Sequence, residues 1–194
     1  MSSPIKLNFK IYQGSTFRQV LRWESSTKAY IPITGITKSA PVVVTAPAHG
    51  APLGWRAKVT NTNGMKELVA LDYQTITSKT DDSVTFNQVN SLGFTTYASG
   101  GILEYNVPVP LTNYSARMQI REKLTSDTVI HELTTENLGV TINLEQSTIT
   151  LYIPESITKT FEFTSAVYSL ELVSGSEVTP FAGGNITLQR EVTR

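Results

Sequence analysis

The chain has 194 residues, 40% hydrophobic and 16% charged, with 16 basic residues balanced by 16 acidic ones. Such a length holds one large β domain or two small ones, and balanced charge gives no global field to draw the protein to nucleic acid or an anionic membrane. The absence of cysteine removes disulfide frameworks, thiol catalysis and cysteine zinc sites together.

Met1-Ser2-Ser3-Pro4-Ile5-Lys6 lacks the apolar stretch of a signal peptide, and no window approaches bilayer length, so the expectation is a soluble chain made in a cytoplasm. Threonine stands at 27 positions. Together with Val, Ile, Tyr and Phe it tips local preference toward strand, and the expected class is all-β. Ile5, Leu7, Phe9 and Ile11 alternate with Lys6, Asn8, Lys10 and Tyr12, a half-buried strand closed by the turn Gln13-Gly14-Ser15. Phe17, Leu21 and Trp23 share a parity and predict a second strand. Glu24 to Lys28 reads as a polar loop.

A short phrase then occurs twice, as Ile31-Pro32-Ile33-Thr34-Gly35-Ile36 and as Val109-Pro110-Leu111-Thr112-Asn113-Tyr114. Proline fixes φ and lacks a donor, so each copy is expected at a turn or strand edge, with Gly or Asn supplying the bend before the next strand. Either one connector has been opened by an inserted module, or a Thr-rich β chain has produced the string twice by chance. Between the copies, Pro41 to Thr45 is a short apolar run and Ala46 to Gly54 a Pro/Gly loop. Trp55 to Thr60 alternates, Asn61 to Gly64 turns, and Leu68 to Ser78 reads as one long Thr-rich strand. Asp81-Asp82 marks a tight turn before Val84 to Phe86, and Ser99-Gly100-Gly101 bends the chain into Ile102 to Val107. Short strands at this spacing predict a small β-barrel or curled sheet.

After the second copy, Tyr114, Ala116, Met118 and Ile120 oppose Ser115, Arg117, Gln119 and Arg121. Strands are predicted at Val129 to Thr134, Val140 to Asn143 and Thr148 to Ile153. One short helix is predicted near 154–160, with Pro154 in its first turn and Glu155 near its positive end. Ala166 to Val173 and Val178 to Val192 form a closing hairpin through Ser174 to Glu177. Hairpin-linked strands with one polar face read as an antiparallel β-sandwich.

The chemistry-bearing residues are few. His49 and His131 are the two histidines, one in a loop and one in a strand, so a metal site would need the two modules to meet. No serine lies in a small-x-Ser-x-small elbow, and no phosphate-binding glycine loop is present. Glu132 and Glu136 as a glycosidase pair are better read as solvated acids, and Asp81-Asp82 as a turn. No catalytic, cofactor-binding or metal residue is assigned, and the chain is not expected to be an enzyme. Arg18, Arg22, Arg117 and Arg121 form a basic stripe if their strands are neighbours, or ordinary solvated faces that discourage edge pairing. Trp55, Tyr97 and Tyr105 are candidates for stacking on sugar rings or on a protein partner, while Trp23 is assigned to the core.

Two resemblances follow from longer stretches. Gln13-Gly14-Ser15-Thr16-Phe17, Leu21-Arg22-Trp23, Leu111 to Arg121, Ala166 to Leu172, Gly184-Asn185-Ile186-Thr187-Leu188 and Glu191-Val192-Thr193-Arg194 resemble small virion structural proteins of tailed bacteriophages, related in pattern to the N-terminal domain of baseplate upper proteins. That pattern runs directly from its connector into the Ala-Arg-Met-Gln-Ile-Arg strand, whereas this chain interposes a second unit. Val42-Val43-Val44-Thr45, Ala48-His49-Gly50, Gly64-Met65, Glu67-Leu68, Tyr73, Val84-Thr85-Phe86 and Tyr97 to Gly101 resemble the small β-barrel module likened to the first-catalytic-cysteine-half domain of ubiquitin-activating enzymes. The departure is Ala51-Pro52, where that pattern favours a leucine. No ubiquitin chemistry is implied, since there is neither a cysteine nor a nucleotide loop.

The resemblances imply a discontinuous β-sandwich core, residues 1–35 plus 109–194, with an inserted barrel at 36–108. They imply a non-enzymatic tail or baseplate component, assembled in the host cytoplasm into a virion, without cofactor, and contacting other virion proteins and copies of itself. Capsid decoration or a head-to-tail connector is the alternative within that class, and a carbohydrate-binding adsorption module for a host-surface glycan is the alternative from another. Candidate interface residues are Pro4, Ile5 and Lys6 as a docking arm, and Trp55, Tyr97 and Tyr105 on the inserted barrel.

Overall fold

Apolar alternation drives nearly every element of this computed structural model, which describes residues 4–191. Met1–Ser3 of the expected arm and Val192–Arg194 of the closing segment lie outside the described residues. In chain order the first strands are β1 (Ile5–Lys6), β2 (Phe9–Tyr12) and β3 (Phe17–Arg22). They are followed by β4 (Glu24–Pro32), β5 (Gly35–Ile36), β6 (Val42–Thr45) and β7 (Arg56–Asn63). After α1 (Lys66–Val69) come β8 (Gln74–Thr75), β9 (Ser78–Lys79), β10 (Ser83–Phe86) and β11 (Ser99–Pro108). The remainder is β12 (Ser115–Arg121), β13 (Val129–Thr134), β14 (Val140–Asn143), β15 (Thr148–Ile153), α2 (Glu155–Thr158), β16 (Ser165–Ser174) and β17 (Glu177–Gln189).

Two compact units result. The first comprises Met1–Arg22, Pro110–Leu144 and Thr148–Arg194; the second comprises Trp23–Val109 with Glu145–Ser147. The first unit is an all-β sandwich. A six-stranded sheet runs β1-β17-β16-β12-β13, with β2 also on β17, and a three-stranded sheet runs β14-β15-β3. Every pair in it is antiparallel except β1 and β2, which lie parallel to β17. Ala116, Met118 and Ile120 of β12, Leu170 and Leu172 of β16, and Ile149, Leu151 and Ile153 of β15 are buried. Phe9 meets Phe17 edge-on across the sandwich at 5.6 Å between ring centroids.

The second unit contains two four-stranded sheets, β5-β6-β10-β9 and β4-β11-β7-β8, around a core that includes Trp55, Val42, Val44, Phe86, Leu103 and Leu68. Among the described residues these sheets do not close into the barrel that strand spacing predicted. Three local readings change as well. Glu24 to Lys28 is the start of β4, because Tyr30, Ala29 and Lys28 pair with Glu104, Tyr105 and Asn106 of β11, which supplies the backbone partners a polar segment does not reveal. Residues 68–78 are not one strand: α1 and two short strands occupy the region, so the described residues hold two short helices rather than one. Gly35 pairs with Thr45 as a strand residue, whereas Asn113 does take the bend, at φ 64.

Candidate interaction surfaces

Ile5 and Lys6 of the N-terminal arm form an edge strand. Ile5 and Lys6 pair with Ala182 and Gly183, and Leu7 N donates to Gly183 O at 3.0 Å. Pro4, Ile5 and Lys6 are exposed, Ile5 at 50%. Tyr168 clamps the next residues: its hydroxyl donates to Leu7 O at 2.9 Å and its ring stacks on Phe9 at 4.9 Å. Burial pushes the Tyr168 hydroxyl up to about 12. Gly184 completes the clamp, since a Cβ there would run into the Leu7 carbonyl oxygen.

The three aromatic candidates in the second unit sit elsewhere than expected. Trp55 is fully buried and its Nε1 donates to Asn106 O at 2.7 Å. Tyr105 is 5% exposed and its hydroxyl donates to His49 O. Tyr97 packs against the same core, half-buried, with its hydroxyl on Gly100 O at 2.9 Å. Placing Trp55, Tyr97 and Tyr105 on a stacking surface is therefore corrected: the period-2 alternation of β11 turns Tyr105 inward, Trp55 is buried just before β7, Tyr97 packs against the core from the segment before β11, and their polar ends are spent on backbone carbonyls.

The histidines also serve the fold. His49 is buried; Ala51 N donates to its Nδ1 at 3.0 Å, which leaves Nε2 as the protonated nitrogen facing Thr80 O at 2.9 Å and Ser83 O at 3.2 Å. His131 sits 5.9 Å from the Phe161 ring, and burial holds its imidazole below the ordinary range against the opposing pull of Glu132. Glu132 accepts from Gln119 Nε2 at 2.6 Å, while Glu136 is an exposed turn residue held low by hydrogen bonds from its own backbone and from Thr134.

No basic stripe forms, because Arg18 and Arg22 lie on β3 and Arg117 and Arg121 on β12, in different sheets. Arg117 is paired with Glu171 at 2.7 Å, Arg121 donates to Ser126 O at 2.6 Å, and Arg18 lies over the Tyr152 ring at 5.0 Å.

Sequence reading missed a charged ladder on the outer face of the β4-β11-β7-β8 sheet. Lys28 pairs with Glu104, Tyr73 donates to Glu104 Oε1 at 2.7 Å, and Arg56 grips Glu24 in bidentate fashion at 3.1 and 2.8 Å. Lys28 and Tyr73 together hold the Glu104 carboxyl below its usual range, the Lys28 hydrogen bond contributing most. Tyr30, 60% exposed, stands beside Glu104 by register. The signal available was the alternation of Ala29 and Ile31 with Lys28 and Tyr30, obscured by the Ser/Thr run before it.

A cleft of about 710 Å³ in the first unit is lined by residues of 122–130 and 160–165, among them Phe161, Phe163, Ile130, Glu122 and Glu162. Among the described residues no group of three or more His, Asp or Glu side chains could hold a metal ion. No helix among them is long and apolar enough to cross a membrane.

No family model and no curated protein matches the chain. Among solved structures, a mutant of the CFA/I enterotoxigenic E. coli adhesin CfaE aligns over 100% of this chain and 99% of that one, at 8% identity and a TM-score of 0.19, a likeness too slight to bear on fold or function.

Proposed function

We propose that the chain is a non-enzymatic structural component of a tailed bacteriophage particle, at the tail or baseplate, acting through contacts with other virion proteins and with its own copies in a symmetric assembly. In this reading the sandwich supplies the place in the particle, and the second unit is an inserted module that supplies an added surface. The sequence resemblance motivates the particle. The observation that supports docking is the N-terminal edge: an exposed strand at the margin of a sheet, with backbone groups open to another chain, attached to the core at Leu7 rather than at its tip.

Burial of Trp55 and Tyr105 and the half-buried setting of Tyr97 take away the three aromatics on which the glycan-stacking reading rested. Capsid decoration is the neighbouring reading, separated by position in the particle.

The test deletes Met1 to Lys6 and follows incorporation into particles. The shortened chain loses the Ile5 and Lys6 pairings but keeps the Tyr168 clamp on Leu7. It should retain its thermal midpoint within a few degrees and be depleted from purified particles. Undiminished incorporation removes the arm. Detection of the full chain in emptied heads and not in tails replaces the tail by the capsid, and its absence from both fractions rejects the particle role.

A further inference from the structure

The cleft of about 710 Å³ in the first unit brings together two segments distant in sequence, 122–130 and 160–165. Polar groups of the sandwich fix both of them. In the first, Arg121 donates to Ser126 O at 2.6 Å and to Gln119 Oε1 at 2.8 Å, and Ser126 N closes a turn on Lys123 O at 3.0 Å. In the second, Gln13 Nε2 donates to Phe161 O at 2.8 Å, Arg190 to Glu162 O at 3.2 Å and Leu188 N to Thr164 O at 3.1 Å. The cleft is therefore formed before anything enters it, and its volume falls in the range of roughly 300–1,000 Å³ that ligand sites occupy.

Aromatic and acidic residues line it together. Phe161 and Phe163 lie 5.3 Å apart between ring centroids, and Ile130 adds to the apolar part. Glu122 and Glu162 are both exposed, and no Lys, Arg or His lines the cleft among the described residues. Neither carboxylate makes a hydrogen bond or an ion pair among those residues. A second cleft, lined by Arg117, Gln119, Glu132, Ser169 and Glu171, differs on this point: Arg117 already holds Glu171, and Gln119 holds Glu132. His131, whose ring is 5.9 Å from that of Phe161, is kept uncharged at neutral pH by burial, so it sets no cation beside the aromatic pair.

We infer that this cleft receives an arginine side chain from a segment of another protein of the particle, its guanidinium held by Glu122 and Glu162 and its apolar neighbours packed on Phe161, Phe163 and Ile130. Charge complementarity selects the occupant. An acidic segment would meet two carboxylates of its own sign, and a purely apolar one would strip water from them without offering a partner. Arginine suits the lining better than lysine, because a planar guanidinium takes a carboxylate through two parallel hydrogen bonds and also stacks on an aromatic face. This names the chemistry of a partner and rests on the proposed function only for that partner's being a particle protein.

The first experiment titrates the isolated full chain, labelled with ¹⁵N, with N-acetylarginine amide. Amide shifts should change saturably and be confined to residues 122–130, 160–165 and the strand residues beside them. N-acetylcitrulline amide, which keeps the shape and loses the charge, should bind at least tenfold more weakly. Glu122→Gln with Glu162→Gln should also weaken arginine binding at least tenfold while leaving the thermal midpoint and far-UV circular dichroism unchanged, since both side chains are exposed. Glu145→Gln with Glu177→Gln, which removes two exposed carboxylates elsewhere, should leave binding as in the wild type.

No saturable shift with the arginine amide, equal binding of the citrulline amide, or equal losses in the two paired variants overturns the site. The second experiment follows the Glu122→Gln, Glu162→Gln chain into purified particles, where it should be depleted several-fold against the wild type. Undiminished incorporation of that folded variant overturns the partner even where the titration succeeds. Absence of the wild type from every particle fraction instead rejects the particle role, and the titration then judges the cleft by itself.

Discussion

Tyr168 shows how a single side chain ties the N-terminal edge to the core. Its hydroxyl bonds Leu7 O at 2.9 Å, and burial raises its ionisation from the ordinary 10.0 to about 12. Below pH 10 the group is neutral in both folded and unfolded chains, and its contribution to stability is fully present. Between pH 10 and 12 the unfolded chain ionises first, so that contribution is lost as pH rises. Urea midpoints of the wild type should fall steeply over that interval. Tyr168→Phe should lose about 1 kcal/mol at pH 8, the net worth of one buried hydrogen bond, and fall less steeply above pH 10. The slope it retains belongs in part to Tyr105 and Tyr73, both also raised by burial. Identical alkaline slopes for the two chains would show that the Tyr168 hydroxyl is not held in a buried site.

At the scale of elements, legibility followed the strength of the hydrophobic period. β13, β14 and β15 fall at the boundaries that alternation predicts, because Leu133, Val140, Ile149, Leu151 and Ile153 each bury one face against an exposed or half-exposed neighbour. α1 was illegible because what starts it is not periodicity but backbone conformation. Gly64 at φ 78 and Met65 at φ 46 turn the chain before Lys66, and Leu68 and Met65 then fill the core. The Thr-rich residues that follow have strand propensity, but tertiary partners divide them between two short strands. Tyr105 on β11 was misplaced for a related reason: alternation tells which residues share a face, and only the sheet partners tell which face is inward, while Trp55 and Tyr97 lie just outside β7 and β11, where alternation gives no guide. The requirement at Gly64 is testable beside a second glycine. A Cβ at Gly64 would meet Thr96 O, whereas at Gly54, φ 76, it would meet nothing within 4 Å. Gly54→Ala should cost about 1 kcal/mol from backbone strain alone, and Gly64→Ala about 2 kcal/mol or more from strain plus the clash. Equal thermal midpoints for the two variants would remove the close approach from the account.

At the scale of the whole molecule, the repeated Pro-Thr phrase and the compact units divide the chain at different places. The phrase suggests cutting at residues 31–108, whereas the second unit begins at Trp23 and its first strand, β4, pairs along β11 from Pro32 back to Glu24. Val109 N donates to Trp23 O at 2.9 Å, which brings the two ends of that unit side by side. If the second unit is an insertion, replacing residues 24–108 by a two-residue Asn-Gly turn leaves the sandwich connected across a gap it already spans. Removing 31–108 instead strands residues 24–30 without their β11 partners, as a polar loop. Both shortened chains should fold, since lengthening a loop costs only about 0.6 kcal/mol per doubling. The tighter splice should have the higher midpoint and a single cooperative transition, and rapid amide exchange should be confined to residues 24–30 of the looser one. If the tighter splice shows no cooperative transition, the sandwich does not fold without the second unit, and the insertion reading fails. If it folds and exchange in the looser splice spreads into β3, the boundary belongs before Trp23.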